Sequence, residues 1–374
     1  MGYFEFVMRT KLCSGENALE HIPYELSRLK AVKPLIITDK TLEKLGMLKV
    51  LTDALDNMPH ALFTDVPPDS DLKKAEKAAA LYRAEKCDGV IALGGGSVID
   101  TAKGAVALLT QNASEIKDII GCEELSRGEV VPFIALPTTA GTGSEATSVA
   151  VIADTERQVK LEIISDQMLP TVAVLDPRLT LGLPPRATAA TAIDALCHAI
   201  EAFSCRQKNP VSDAFAYAAV KAILSALPEV IKNPQNKAAR LELANASFMA
   251  GVSFSNSMVG AVHAVGHALG AVCHVAHGEA MAILLPRVMR FNQCAEYRDL
   301  AGLFDDPEPV VALEVLLQSL HNKTGLPITL SQTGKVAESD FDAIAEKALN
   351  DGAILFNVKP LEKSDILQLL KDAF

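Results

Sequence analysis

The chain has 374 residues and a formal net charge of −11, with 49% hydrophobic and 22% charged residues. Its length exceeds that of most single compact cores, so we expect two domains in a globular protein. The acidic balance argues against a nucleic-acid-binding surface. No apolar run approaches the roughly 20 residues of a membrane-spanning helix, so no membrane partner is expected.

The seven cysteines are scattered along the chain and include no Cys-x-x-Cys pair. An odd, unpatterned set of this kind indicates reduced thiols. The N-terminal sequence MGYFEFVMRT has an early acidic residue and lacks the apolar core and cleavage site of a secretory signal. We therefore expect a cytoplasmic protein.

The first half of the chain alternates short apolar segments with amphipathic ones. Strands are predicted at 32–40, 88–97, 130–139 and 170–176, with a helix at 70–86. Strands that alternate with helices in this way predict a parallel sheet covered by helices on both faces.

The pattern changes at Pro184 and Pro185, after which the chain is rich in Ala and Leu at helical spacing. Helices are predicted at 186–205, 210–227 and 237–257. The predicted fold class is therefore an α/β N-terminal domain, residues 1–181, followed by an all-α C-terminal domain, residues 182–374.

Two flexible polar segments follow predicted strands in the first half. Gly94 to Ser97 open a predicted helix, where backbone N–H groups and the helix dipole favour an anion. The segment PTTAGTGSEAT (137–147) follows the next strand, and both belong to the edge of a parallel sheet where ligands bind. The spacing is not G-x-G-x-x-G, and an ordinary glycine-rich turn is the alternative.

Asp39 closes the strand predicted at 32–40. An acid at such a strand end can accept hydrogen bonds from an adenosine ribose and repel a 2′-phosphate, which favours NAD over NADP. Asp is also common at strand ends, so a purely structural role is the alternative.

Four of the eight histidines lie in the apolar segment VHAVGHALGAVCHVAHGEA (262–280). Asp194 and His198 are four residues apart on another apolar helix, on the same face. A hydrogen-bonded Asp–His pair is one interpretation, because an unpaired buried carboxylate is costly. A carboxylate with three imidazoles also suits Fe(II) or Zn(II), so a metal site is the second interpretation.

Four segments in chain order resemble the motifs of the iron-containing (group III) alcohol dehydrogenase family. They are ALGGGSVIDTAK (92–103), PTTAGTGSEAT (137–147), AIDALCHAIEAF (192–203) and HAVGHALGAVCHVAHG (263–278). The resemblance covers nearly the whole chain. It implies a Rossmann-like N-terminal domain, a helical C-terminal domain and an active site in the interdomain cleft.

The resemblance also implies residue roles by position. The family's metal ligands, for Fe(II) or Zn(II), fall on Asp194, His198, His263 and His277. Its NAD-binding positions fall on Asp39, Gly95, Gly96, Ser97, Asp100, Thr138, Thr139, Thr142, Val151 and Lys160. His267 matches a histidine near the substrate and is the predicted catalytic residue, a relay for the alcohol proton, with simple packing as the alternative. His274 matches no assigned position and is expected to be structural.

The implied activity is that of a metal-dependent, NAD(H)-linked alcohol dehydrogenase or aldehyde reductase. It transfers hydride between a small primary alcohol or diol and nicotinamide, in a homodimer or larger homo-oligomer. One alternative is a related enzyme such as a zinc-dependent glycerol dehydrogenase, a maleylacetate reductase or a lyase like dehydroquinate synthase. Another is a non-catalytic NAD- or metal-binding protein, which the complete ligand set and phosphate loop disfavour.

Overall fold

The computed structural model describes residues 3–119, 130–154 and 159–374, without the side chains of residues 159, 160 and 162. The chain divides into two compact units, Val7–Gly182 and Leu183–Phe374, and the second unit also takes in the N-terminal segment that ends at Phe6. That segment packs through Phe6, whose ring stacks on Phe215 with centroids 5.9 Å apart. The domain limits 1–181 and 182–374 stay a prediction.

The first unit is built on a parallel sheet. Its strands are β1 (Lys11–Ser14), β2 (Pro34–Ile37), β3 (Ala61–Phe63), β4 (Gly89–Gly94), β5 (Phe133–Pro137), β6 (Val149–Asp154), β7 (Val159–Ile164) and β8 (Val172–Leu175). Within the described residues, six of them form a parallel sheet in the order β1-β8-β5-β4-β2-β3, while β6 and β7 form an antiparallel pair. Its helices are α1 (Ile22–Arg28), α2 (Lys40–Lys44), α3 (Met47–Ala54), α4 (Leu72–Ala84) and α5 (Gly96–Thr110).

The central strands are apolar at every position because the sheet is covered on both faces. On β2, Leu35 and Ile37 pack into one core with α4 and α5, whereas Ile36 packs into the other with α1 and α3. The parallel, doubly covered sheet predicted from the sequence is confirmed. The short strands β1 and β3 and the β6–β7 pair were not predicted.

The connections of β2 place a crevice in the first unit. Strand β3 pairs with one edge of β2 and strand β4 pairs with the other edge. The strand order therefore reverses between β2 and β4, which makes this position a topological switch point. Ligands of open α/β sheets bind at such a switch point, outside the carboxyl ends of the strands. Asp39 follows β2 and Gly95 follows β4, so both lie at this edge.

The second unit is mostly helical, as predicted. Its helices are α6 (Pro185–Ser204), α7 (Pro210–Lys232), α8 (Lys237–Ser255), α9 (Ala261–Cys273), α10 (His277–Asn292), α11 (Glu296–Leu300), α12 (Pro309–Thr324), α13 (Phe341–Leu349) and α14 (Lys363–Ala373). Helix α6 contacts α7, α8 and α10 and is buried along nearly its whole length. Any polar side chain on α6 therefore needs a partner inside this unit.

Helix α7 is long and apolar enough, by length and composition alone, to cross a membrane. In this fold its buried residues, which include Ala216, Val220 and Ile223, pack in the same bundle as α6 and α8. Asp213, Lys221 and Glu229 interrupt its apolar sequence. These features are those of a core helix, which passes the same length and composition test.

One charged pair is buried within the first unit. Lys103 on α5 is 0% exposed and donates to Thr147 Oγ1 at 2.8 Å and to the Val149 carbonyl at 2.6 Å. Glu145 is 1% exposed. Burial disfavours both charges: it lowers the pKa of Lys103 to about 8 and raises the pKa of Glu145 to about 7, although each opposite charge acts against the shift.

The raised pKa of Glu145 predicts a pH-dependent stability. The unfolded carboxyl titrates near 4.5 and the folded one near 7, so the folded chain holds a proton that the unfolded chain releases between these values. Stability from this residue is therefore present below pH 4.5 and lost as pH rises through 7. Glu145→Gln removes the effect. We therefore expect the melting temperature of the variant minus that of the wild type to be larger at pH 8 than at pH 5. Thermal unfolding of both proteins at both pH values measures this difference, and Glu43→Gln, at an exposed position, is the control. A difference between Glu145→Gln and the wild type that is equal at pH 5 and pH 8 would contradict the prediction.

Candidate metal and nucleotide site

Helix α6 carries three buried carboxylate and imidazole side chains on one face. Asp194, His198 and Glu201 are spaced i, i+4 and i+7, which places them along a single stripe. Their exposed fractions are 2%, 5% and 5%, so all three are buried. A buried stripe of this composition needs partners from neighbouring helices.

Helices α9 and α10 supply those partners. Nε2 of His277, the first residue of α10, lies 3.1 Å from Asp194 Oδ1, and Nε2 of His263 on α9 lies 3.7 Å from the same oxygen. Ligating atoms of Asp194, His263 and His277 all lie within 4.8 Å of one another. The close approach of α10 depends on Gly278, because a Cβ there would lie 2.5 Å from the Ala190 carbonyl oxygen on α6.

The donor atoms of this cluster fit a metal ion. Among the described residues, Asp194 Oδ1 and His263 Nε2 are buried without any hydrogen-bond partner, although His277 Nε2 is at contact distance from Oδ1. Buried polar atoms normally have a partner, so two facing orphans indicate a missing ligand. One carboxylate oxygen and imidazole nitrogens are the ligands that Fe(II) and Zn(II) accept.

The electrostatics of the cluster also favour a cation. Burial raises the pKa of Asp194, but His198, His277 and His263 outweigh it and hold that pKa well below its usual value. Burial likewise lowers the pKa of His263, but the neighbouring carboxylates of Asp194 and Glu201 outweigh it and raise that pKa to about 9. Without a metal, the cluster therefore attracts a proton to the place where a cation would bind.

The other predicted residues of the cluster adjoin this group of three. The ring of His198 stacks on that of His263 with centroids 4.5 Å apart, and on Phe254 at 4.3 Å. His267 stacks on His277 at 5.5 Å, and its Nδ1 lies 2.9 Å from Asp351 Oδ2. The structure thus brings three of the four predicted ligands within ligating distance of one another and places His198 against them.

His274, expected to be structural, lies outside the cluster. It is exposed and ends α9 in the left-handed conformation, with φ of 55°. Its carbonyl accepts a hydrogen bond from Lys335 Nζ at 2.7 Å. This geometry is that of a helix C-cap.

In the first unit, the two predicted phosphate-side loops are neighbours. Gly94 on β4 pairs with Pro137 on β5, and the Thr138 N–H donates to the Gly94 carbonyl at 3.0 Å. Gly95 is the N-cap of α5, and Thr142 packs against Gly96. The N-terminus of a fifteen-residue helix therefore opens beside a threonine-rich loop, which is the arrangement that binds a pyrophosphate.

Several residues predicted to bind NAD have partners within the protein. Asp100 accepts from the Ser144 hydroxyl at 2.6 Å and from the Val151 N–H at 3.1 Å, so it ties the threonine-rich loop and β6 to α5. The Ser97 hydroxyl donates to the Pro68 carbonyl. Thr139 lies beside Gly95. The side chain of Lys160 lies outside the described residues.

Asp39 is the N-cap of α2. Its Oδ1 accepts from the N–H groups of Thr41 and Leu42 at 2.7 and 2.9 Å. Capping thus uses one of its two carboxylate oxygens. The structural role considered from the sequence is present, and it is compatible with a ribose contact through the other oxygen.

Two carboxylates of the metal cluster were missed in the sequence. Glu201 lies 2.5 Å from His263 Nδ1, and Asp351 bonds His267. The position of Glu201, seven residues after Asp194 on the same apolar helix, was a usable signal. Asp351 carried no such signal, because it precedes a 3₁₀ segment 84 residues away from His267.

Comparison with known families gives matches over both halves of the chain. Residues 9–177 match the family described as iron-containing alcohol dehydrogenase. Residues 188–374 match the C-terminal domain of the Fe-containing alcohol dehydrogenase family. An NAD-dependent methanol dehydrogenase of Bacillus methanolicus is 35% identical over 371 residues, which cover 96% of this chain and 97% of that protein.

Solved structures agree with these matches. The fold is similar to that of a 1,3-propanediol oxidoreductase, with a TM-score of 0.94, 33% identity and full coverage of both chains. It is also similar to a sulfoacetaldehyde reductase from Bifidobacterium kashiwanohense in complex with NAD⁺, with a TM-score of 0.91 and 28% identity over 100% of this chain and 99% of that one. The protein with this Asp/His cluster and glycine loop belongs to the iron-containing alcohol dehydrogenase family.

Proposed function

We propose that this protein is a metal-dependent, NAD(H)-linked alcohol dehydrogenase or aldehyde reductase of small substrates. The observation that carries the proposal is the pair of buried, facing orphan atoms, Asp194 Oδ1 and His263 Nε2, found within the described part of the chain. Asp194, His198, His263 and His277 would hold the metal, Fe(II) or alternatively Zn(II). When bound, the metal acts as a Lewis acid that lowers the pKa of an alcohol and polarises an aldehyde carbonyl.

The first unit would bind the dinucleotide, which accepts or donates hydride at its nicotinamide when bound. The N-terminus of α5, at Gly95, Gly96 and Ser97, would take the pyrophosphate on its backbone N–H groups. Thr138, Thr139 and Thr142 would line the adjoining loop, with Val151 and Lys160 further along. Asp100 would act by holding that loop, since Ser144 and the Val151 N–H occupy its oxygens.

His267 is the proposed carrier of the alcohol proton. Its side chain is 29% exposed, so it is open to solvent, and Asp351 orients its ring through Nδ1. An imidazole that is held by a carboxylate on one nitrogen can accept a proton on the other. These features support a relay and go beyond simple packing.

The proposed substrates are small primary alcohols, diols and their aldehydes. The support is that similar proteins are a methanol dehydrogenase, a 1,3-propanediol oxidoreductase and a sulfoacetaldehyde reductase. A cytoplasmic location is part of the same proposal: the cysteines of the described residues are all free thiols, as expected in a reducing compartment. The homodimer or larger homo-oligomer rests on the family resemblance.

The metal site is tested with Asp194→Asn, which keeps the shape and removes the charge at the centre of the cluster. We expect the purified variant to lose its metal and kcat/KM to fall at least about 100-fold. Loss of a residue that only hydrogen-bonds a metal ligand already costs 10- to 100-fold, and Asp194 is itself a proposed ligand. Metal content by elemental analysis and aldehyde-dependent NADH oxidation measure both effects. Asp213→Asn, a carboxylate on α7 paired with Lys208, is the matched control. Full metal content in Asp194→Asn would refute the assignment.

The cofactor preference is tested with Asp39→Ser. Serine caps helices as well as aspartate does, so the variant removes the negative charge and keeps the N-cap of α2. We expect the ratio of kcat/KM for NADP to that for NAD to rise about tenfold or more, since a 2′-phosphate is no longer repelled. Asp71→Ser, which changes the N-cap of α4 in the same way, is the control and should leave the ratio unchanged. An unchanged ratio in Asp39→Ser would contradict the proposal that Asp39 selects NAD over NADP.

A further inference from the structure

Glu201 bridges two groups at the start of α9. Its Oε1 accepts from the Val262 N–H at 2.7 Å, and its Oε2 lies 2.5 Å from Nδ1 of His263. Both oxygens are thus used by consecutive residues of α9, although Glu201 belongs to α6. The carboxylate is buried, at 5% exposed, so both contacts lie in a medium of low dielectric where they are strong.

The contact with Nδ1 determines which nitrogen of His263 is available. A carboxylate accepts hydrogen bonds, so the proton of a neutral His263 lies on Nδ1 and the lone pair lies on Nε2. Nε2 is the atom that faces Asp194 at 3.7 Å and is without a hydrogen-bond partner among the described residues. The other contact, to the Val262 N–H, fixes the carboxylate to the helix turn that carries the ring.

We propose that Glu201 is a positioning residue for the metal site: it holds His263 in the Nδ1-protonated form and aims its Nε2 lone pair at the metal. This inference rests on the proposed metal-dependent function and deepens it. A partner of this kind on the far nitrogen raises the basicity of a ligating imidazole and fixes its orientation.

A purely structural role for Glu201, as a cap of α9, is distinguishable because a second residue caps the same turn. Asn357 Oδ1 accepts from the Ala261 N–H at 3.2 Å and belongs to the C-terminal segment. Asn357 is buried, at 3% exposed, and also bonds Asn292. Loss of Asn357 therefore weakens the start of α9 without a change at the His263 ring.

The decisive variant is Glu201→Gln. If the amide NH₂ faces Nδ1, it forces the His263 proton onto Nε2; if the amide oxygen faces Nδ1, the NH₂ opposes the Val262 N–H. The first orientation reverses the direction of the hydrogen bond at Nδ1, and the second leaves the Val262 N–H without its acceptor, so glutamine cannot reproduce both contacts of the carboxylate. We expect the affinity for Zn²⁺, measured by competition with a chromophoric chelator, to fall 10- to 100-fold relative to the wild type.

Two controls separate positioning from structure. Asn357→Ala is expected to lower the melting temperature and leave the Zn²⁺ affinity within about threefold of the wild type, since the ring contact is intact. Asp213→Asn makes the same carboxylate-to-amide change on α7, outside the metal cluster, and is expected to leave the Zn²⁺ affinity unchanged. An affinity loss in Asn357→Ala equal to that in Glu201→Gln would overturn the inference and assign Glu201 to helix capping.

A direct measurement covers the case in which Glu201→Gln does not fold. In the Zn²⁺-loaded wild type with ¹⁵N-labelled histidine, NMR reports which ring nitrogen of His263 carries the proton. A proton on Nδ1 supports the inference and a proton on Nε2 overturns it. If the wild type binds no Zn²⁺, the proposed function itself is overturned. If the wild type and the Glu201→Gln variant bind Zn²⁺ with equal affinity, only the positioning role of Glu201 is overturned.

Discussion

The structure of the second unit depends on one constraint, which is that Asp194 is an ionised carboxylate on a helix buried among other helices. An unpaired charge in such a place costs several kcal/mol, so the fold has to supply compensating positive charge or hydrogen-bond donors. Two further helices supply it through the imidazoles of His263 and His277. The same arrangement gives the cluster the donor atoms that a divalent cation accepts.

Two further carboxylates contact the histidines around Asp194. Glu201 contacts the ring of His263 and Asp351 contacts the ring of His267, so each of these imidazoles has an acid on its Nδ1. In His263, the nitrogen opposite Glu201 is Nε2, which faces Asp194 at 3.7 Å. His263 is buried inside the cluster, whereas His267 is partly exposed to solvent.

In the first unit, the groups that favour a ligand charge belong to the backbone and not to side chains. The N-terminus of α5 offers N–H groups to an anion beside a threonine-rich loop. Asp100 and the buried Lys103 hold that loop and β6 to α5 through four polar contacts, with Ser144, Thr147, Val149 and Val151. The charged groups of this region therefore hold the loop in place, and the groups that favour an anion are the backbone N–H groups of the helix end.

Some of these features were determined by the sequence alone. The apolar runs and the change of pattern at Pro184 predicted the parallel sheet and the helical second half, because periodicity is a local property. The i, i+4 pairs left a metal site as one of two interpretations, and the family resemblance assigned its ligands. Tertiary structure decided which nitrogen of His263 faces Asp194 and which acid contacts each ring, since Glu201 meets His263 across 62 residues and Asp351 meets His267 across 84. Such pairings depend on how helices pack, and no local pattern in the chain specifies that packing.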